Sequence, residues 1–208
     1  MPKKMMLYYA PQSRAETVLW ALEEIGAPYE KTVYDLSKKE HKNPTYLAIN
    51  PFGKVPTLVV DDVVITECAA ILAFLGDEFP EKKLAPKVGD KHRGAYFRWL
   101  FIGPSVMEPA MMDAYLKVDN KDNASAAGWA PLGDVLTLLT DTLKRNQFLS
   151  GGDFSMADMA FSSTLSWTMM WGMVPKEKLY EDYVQRCFAR PSKERANQIS
   201  AEIMKQRA

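Results

Sequence analysis

The chain has 208 residues, enough for one large domain or two small ones. Hydrophobic residues make up 47% and charged residues 25%, which excludes a disordered or fibrous protein. The 26 Lys and Arg balance the 26 Asp and Glu, so no general attraction to nucleic acid or to an anionic membrane is expected. Cys68 and Cys187 are the only cysteines and His41 and His92 the only histidines, too few for a disulfide framework or a Cys/His zinc cluster. The opening MPKKMMLYYAPQSR is interrupted at Pro11 and does not read as a signal peptide. No apolar run is long enough to span a bilayer, so a cytoplasmic location is the expectation.

Met5 to Tyr9 is short, apolar and aromatic, and reads as a strand. From Ser13 the pattern turns helical: Val18, Leu19, Leu22 and Ile25 share one face, Glu16, Glu23 and Glu24 the other, and Gly26 marks the stop. Tyr29 to Tyr34 alternates as a second strand. Residues 38 to 49 suggest a short irregular helix, and Asn50-Pro51-Phe52-Gly53 is a turn. Val55 to Val60 and Val63 to Ile65, split by Asp61-Asp62, predict an antiparallel hairpin, and Glu67 to Phe79 a helix. The first strand–helix–strand unit should give a parallel pair. Phe79 to Asp90 has no period and reads as a linker. Beyond it the strand signal vanishes, and residues 91–118, 127–146, 156–172 and 176–206 read as helical. Breaks fall at Asp119 to Ala124, Gly151-Gly152, Pro175 and Pro191. Ser155 and Asp158 have the spacing of a helix capping box.

Four segments carry a resemblance: LYYAPQSRAETVLWALEEIGAPYE (Leu7 to Glu30), NPFGKVPTL (Asn50 to Leu58), ITECAAILAFL (Ile65 to Leu75) and FSMADMAF (Phe154 to Phe161). Together the chain resembles the cytosolic glutathione S-transferases, including bacterial members. The resemblance implies a thioredoxin-like βαβαββα domain over residues 1–80 that binds glutathione, a linker over 81–87, and an all-α domain over 88–208 that contributes the electrophile pocket. It implies a homodimeric enzyme conjugating the glutathione thiolate to small apolar electrophiles, with glutathione as co-substrate and no metal or organic cofactor. Glutathione-dependent peroxidase, dehalogenase or isomerase chemistry on the same fold, or non-catalytic binding, stay as alternatives.

Pro56 admits two readings. A proline in an apolar strand removes a ladder donor and suggests an edge strand with a trans bond. The resemblance instead implies a cis Val55–Pro56 bond, with the Val55 backbone presented to the cysteinyl unit of glutathione. Glu67 and Cys68 open the next helix, whose free N–H groups suit the γ-glutamyl carboxylate. Family members carry Ser or Thr where this chain has Cys68, a weak donor that is otherwise a small buried residue. His41, Lys42 and Lys54 are either solvated charges or contacts to the rest of the tripeptide.

The thiol also needs an activator at the end of the first strand. Tyr8, assisted by Arg14, matches the tyrosine-type members, whereas Ser13 is the second candidate and equally an N-cap for the first helix. Tyr8 and Tyr9 point to opposite faces of a strand, so only one can serve. Met107, Met111 and Tyr115 repeat every four residues, so one helix face could offer all three to an electrophile. Such stripes also build cores.

Overall fold

The computed structural model describes residues 3–118 and 126–207. The break expected at Asp119 to Ala124 lies outside the described residues. The chain divides into two packing units, Met1–Lys82 with Ala189–Ala208, and Lys83–Phe188.

The first unit is built on a four-stranded sheet of order β2-β1-β3-β4. Its strands are β1 (Met5–Tyr9), β2 (Glu30–Val33), β3 (Thr57–Val60) and β4 (Val63–Thr66). β1 and β2 run parallel across α1 (Ala15–Ile25), while β3 pairs antiparallel with both β1 and β4, as the hairpin signal predicts. β3 is therefore an inner strand, which overturns the edge-strand reading of Pro56. The proline sits one residue before the first paired residue, Thr57, so it removes no ladder bond.

Period two in β1 buries Met5, Leu7 and Tyr9 on one face and leaves Met6 and Tyr8 half-buried on the other. α1 ends where Gly26 adopts φ 70° and its N–H bonds the Leu22 carbonyl at 2.9 Å. After β2 come a 3₁₀ turn, Glu40–Lys42, and α2 (Pro44–Ile49), capped by Asn43 Oδ1, which accepts from the Tyr46 N–H at 2.8 Å. α3 spans Cys68–Glu78.

The last helix groups by packing with the first unit. Pro191 stands at the first position of α9 (Pro191–Arg207), and this helix packs on α1 with the first unit. Side chains on and beside the glutamate face of α1 explain why. Glu24 takes Arg190 and Ser192, Trp20 Nε1 donates to Ser192 Oγ at 3.0 Å, and Arg195 bonds the Glu23 carbonyl at 2.8 Å. Trp20 is thereby fully buried. Burial tends to raise the Glu24 pKa, but the Arg190 and Ser192 contacts win and hold it below the usual carboxylate range.

The second unit contains α4 (Arg93–Ile102), α5 (Glu108–Leu116), α6 (Leu132–Leu143), α7 (Met156–Met170) and α8 (Lys178–Phe188). α4 runs into α5 through a π turn, Gly103–Met107, where the Glu108 N–H reaches back five residues to the Gly103 carbonyl. Pro104 and Pro109 lack the N–H that a regular ladder needs, which accounts for the wider turn. At the start of α7, Asp158 is fully buried and accepts from the N–H groups of Leu149 (2.9 Å) and Ser155 (3.0 Å). It also accepts from the hydroxyls of Ser155 (2.9 Å) and Tyr183 (3.1 Å). The expected capping pair is present, with the Ser155 hydroxyl donating to the carboxylate.

Candidate active site

The turn Asn50–Pro56 is held rigidly at the mouth of β3. The Val55–Pro56 bond is cis. The Lys54 carbonyl accepts from Tyr46 Oη at 2.5 Å and from Asn50 Nδ2 at 2.9 Å, and Asn50 Nδ2 also reaches Thr57 Oγ1 at 3.1 Å. Gly53 adopts φ 54°, a strained conformation for a side-chain-bearing residue, and a Cβ there would lie 3.0 Å from the His41 carbonyl oxygen, so glycine is favoured. Val55 precedes Thr57, where both ladders of β3 begin, so its N–H and C=O belong to neither. An extended backbone segment can pair with them. Tyr46, Asn50 and Thr57, which tie this turn down, escaped the sequence reading. A buried Asn beside a turn was the available signal.

At the opening of α3, Glu67 adopts φ 67° and ψ 124°, a conformation that costs a non-glycine residue about 1–3 kcal/mol. Its carbonyl still accepts the first helical bond, from the Ile71 N–H at 2.9 Å. The amides after it have no acceptor within the helix and carry the positive end of the dipole. Cys68 is half-buried, and its thiol lies 3.9 Å from the Arg14 carbonyl, which brings the tip of α3 to the β1–α1 turn.

His41, Lys42 and Lys54 converge on the same turn. Lys42 Nζ donates to the Phe52 carbonyl at 2.7 Å. Burial first, then the charges of Lys42 and Lys54, push the His41 pKa down. Among the described residues His41 Nδ1 is buried without a hydrogen-bond partner. Two cations and an unpaired imidazole suit a carboxylate.

The three candidate activators occupy the end of β1 and the turn after it. The Tyr8 ring lies with those of Tyr34 and Tyr46, at centroid distances of 6.2 and 5.2 Å, on the side of the sheet where Tyr46 grips Lys54. Tyr9 faces the other way, fully buried, and donates to Ser200 Oγ at 2.9 Å. Ser13 Oγ donates to the Ala10 carbonyl at 2.7 Å and accepts from the Ala15 N–H at 3.1 Å, so its hydroxyl is engaged in starting α1. Arg14 is the exposed N-cap residue of that helix.

Residues 3–77 match the family model described as "Glutathione S-transferase, N-terminal domain". The chain is 31% identical over 154 residues to glutathione S-transferase 1 of Schizosaccharomyces pombe, which covers 70% of this chain and 67% of that protein. This chain belongs to the glutathione S-transferase family. A second relative, glutathione S-transferase F10 of Arabidopsis thaliana, is 28% identical over 168 residues, 75% of this chain and 77% of its own length. The structure of a sphingomonad glutathione S-transferase complexed with glutathione aligns at a TM-score of 0.77 and 26% identity, covering 94% of this chain and 98% of that one.

In this glutathione S-transferase the thioredoxin-like sheet and the helical region are thus family features. Within the helical unit Met107 is fully buried in the π turn, Met111 is 8% exposed and Tyr115 67% exposed. The three keep helical spacing along α5 but differ in exposure from end to end, so they do not form one exposed face. Among the described residues no three His, Cys, Asp or Glu side chains gather as a metal site. Among the described residues no helix is long and apolar enough to cross a membrane.

Proposed function

We propose that this glutathione S-transferase joins the glutathione thiolate to small apolar electrophiles, as a cytoplasmic homodimer serving detoxification. The observation that carries the reading is the unspent backbone edge of Val55 between two charge-bearing neighbours. Thr57 pairs with Thr66, so the amide-rich start of α3 follows directly on the strand beside this edge, while His41, Lys42 and Lys54 gather at the turn that leads into it. A tripeptide lying extended across Val55 would pair its cysteinyl backbone there, its γ-glutamyl carboxylate with the α3 amides and its glycine carboxylate with the cations. The sphingomonad relative's complex with glutathione supports the ligand.

A free thiol titrates near pH ~8.5, and lowering that by about two units requires roughly 2.7 kcal/mol of preferential thiolate stabilisation. Tyr8, whose ring lies against Tyr34 and Tyr46, donates its hydroxyl to the sulfur in this reading, and Arg14 adds positive charge. The thiolate then forms the C–S bond while the leaving group departs with its electron pair. Met111 and Tyr115 offer the substrate a soft apolar surface, whereas buried Met107 would reach it only after rearrangement. Phe52, 72% exposed at the tip of the Asn50–Pro56 turn, is available to a second copy, and a half-buried Cys68 that forms no disulfide suits a reducing compartment.

Retention on immobilised glutathione together with turnover of a chlorinated nitroaromatic tests the activity. Tyr8→Phe should lower kcat about a hundredfold with little change in glutathione retention. Loss of turnover in Ser13→Ala alone would transfer the activating role to Ser13, and retention without turnover of any electrophile or peroxide would leave a binding protein. Sedimentation of the wild type against Phe52→Ala tests the dimer.

A further inference from the structure

The β1–α1 turn is fastened from a distance. Gln12 adopts φ 56°, a left-handed conformation unusual for a side-chain-bearing residue, and its N–H donates to Glu16 Oε1 at 3.1 Å. The same oxygen accepts from Ser200 Oγ at 2.6 Å, and Ser200 Oγ accepts from Tyr9 Oη at 2.9 Å. Tyr9 and Ser200 are both buried. A continuous chain of hydrogen bonds therefore runs from the end of β1, through α9, back to the amide directly before Ser13 and Arg14. Pro11 and Gln12 of this turn also line a cavity of about 380 Å³ with Tyr34, Leu36 and Met204, so the turn borders space open to a ligand.

We infer that Ser200 and Glu16 are positioning residues for the thiol chemistry: through the Tyr9–Ser200–Glu16–Gln12 chain, α9 holds the turn that presents Ser13 and Arg14 beside Tyr8. The inference rests on the transferase reading above. Each oxygen in the chain is used once or twice in a consistent sense, with Tyr9 and Ser200 as successive donors and the Glu16 carboxylate as final acceptor. Losing the Ser200 hydroxyl leaves Glu16 with a single constraint and lets the turn relax toward commoner backbone conformations. Displacements of that kind around a reacting atom cost rate more than ground-state binding.

The test compares wild type with Ser200→Ala, Glu16→Ala, the conservative Ser200→Thr, and Ser192→Ala. Ser192 serves the same α1–α9 contact without touching the turn. Two quantities are read: amide hydrogen exchange at Gln12, and the acid limb of kcat/KM for glutathione. In Ser200→Ala and Glu16→Ala, exchange at Gln12 should quicken about tenfold. The acid limb should move up by about half a pH unit, and kcat should fall more than KM rises. Ser200→Thr should restore both, and Ser192→Ala should lower thermal stability while moving neither. Unchanged exchange at Gln12 overturns the inference, as does faster exchange with an unmoved acid limb. If the wild type neither binds glutathione nor turns over an electrophile, the transferase reading falls instead, and exchange at Gln12 still decides whether the chain of bonds holds the turn.

Discussion

Two polar constellations in this protein are built in opposite ways. Around Asp158, in the helical unit, every donor that faces the carboxylate is met: two backbone N–H groups and two hydroxyls converge on a fully buried group. Around Val55, in the sheet unit, polarity is left over. The backbone edge lies outside both ladders, His41 Nδ1 is buried without a partner, and Glu67 is held in a costly conformation. A closed network stabilises the fold and has nothing left to offer a ligand. An open one lowers stability and keeps its capacity for a guest.

The largest expected effect would break the first half of that contrast. Asp158→Ala strands two buried amides and two hydroxyls, and should cost about 3 kcal/mol or more in urea unfolding. A loss under about 1 kcal/mol would mean the network is dispensable. Next, Glu67→Gly relieves the left-handed backbone and should raise unfolding stability by about 1 kcal/mol. The same change removes the carboxylate that, in the transferase reading, faces the α-ammonium of glutathione, and should weaken binding about tenfold by calorimetry, about what a hydrogen-bonded charged contact contributes. Stabilisation without weaker binding would separate the strain from the site.

A third test uses acid. The folded-state pKa of Glu24 lies below its unfolded value, so its contribution is present above the unfolded pKa and fades as pH falls through the folded one. Glu24→Gln should therefore melt earlier than wild type at neutral pH, with the gap narrowing in acid. A constant gap would assign the effect to packing. The smallest effect is spectroscopic. The His41 pKa is held down by burial and by Lys42 and Lys54, and an incoming carboxylate opposes all three. Adding glutathione should raise it in an NMR titration, and a fall would place the anion elsewhere.

The local grammar was legible because it is local. β1 fell on Met5–Tyr9 as read, the Asp61–Asp62 hairpin formed, and Pro191 opened a helix, each from signals within a few residues. Family-specific strings exposed the Val55–Pro56 turn, although the strand beside it proved interior. What stayed hidden depends on partners far along the chain. Glu16 and Glu24 read only as the face of α1 away from its apolar stripe, because nothing near them announces Ser200 or Arg190, 184 and 166 positions away. The π turn at Gly103–Met107 also escaped, since prolines mark a disturbance without saying how the backbone will absorb it.

Because α9 packs on α1, the residues up to Lys82 cannot complete their core by themselves. Trp20 and Tyr9 must wait, uncovered, while the whole intervening stretch from Lys83 to Phe188 is synthesised. Nascent chains of this protein are then greasiest when half made, and any cut that removes the final helix returns the finished molecule to that unfinished condition.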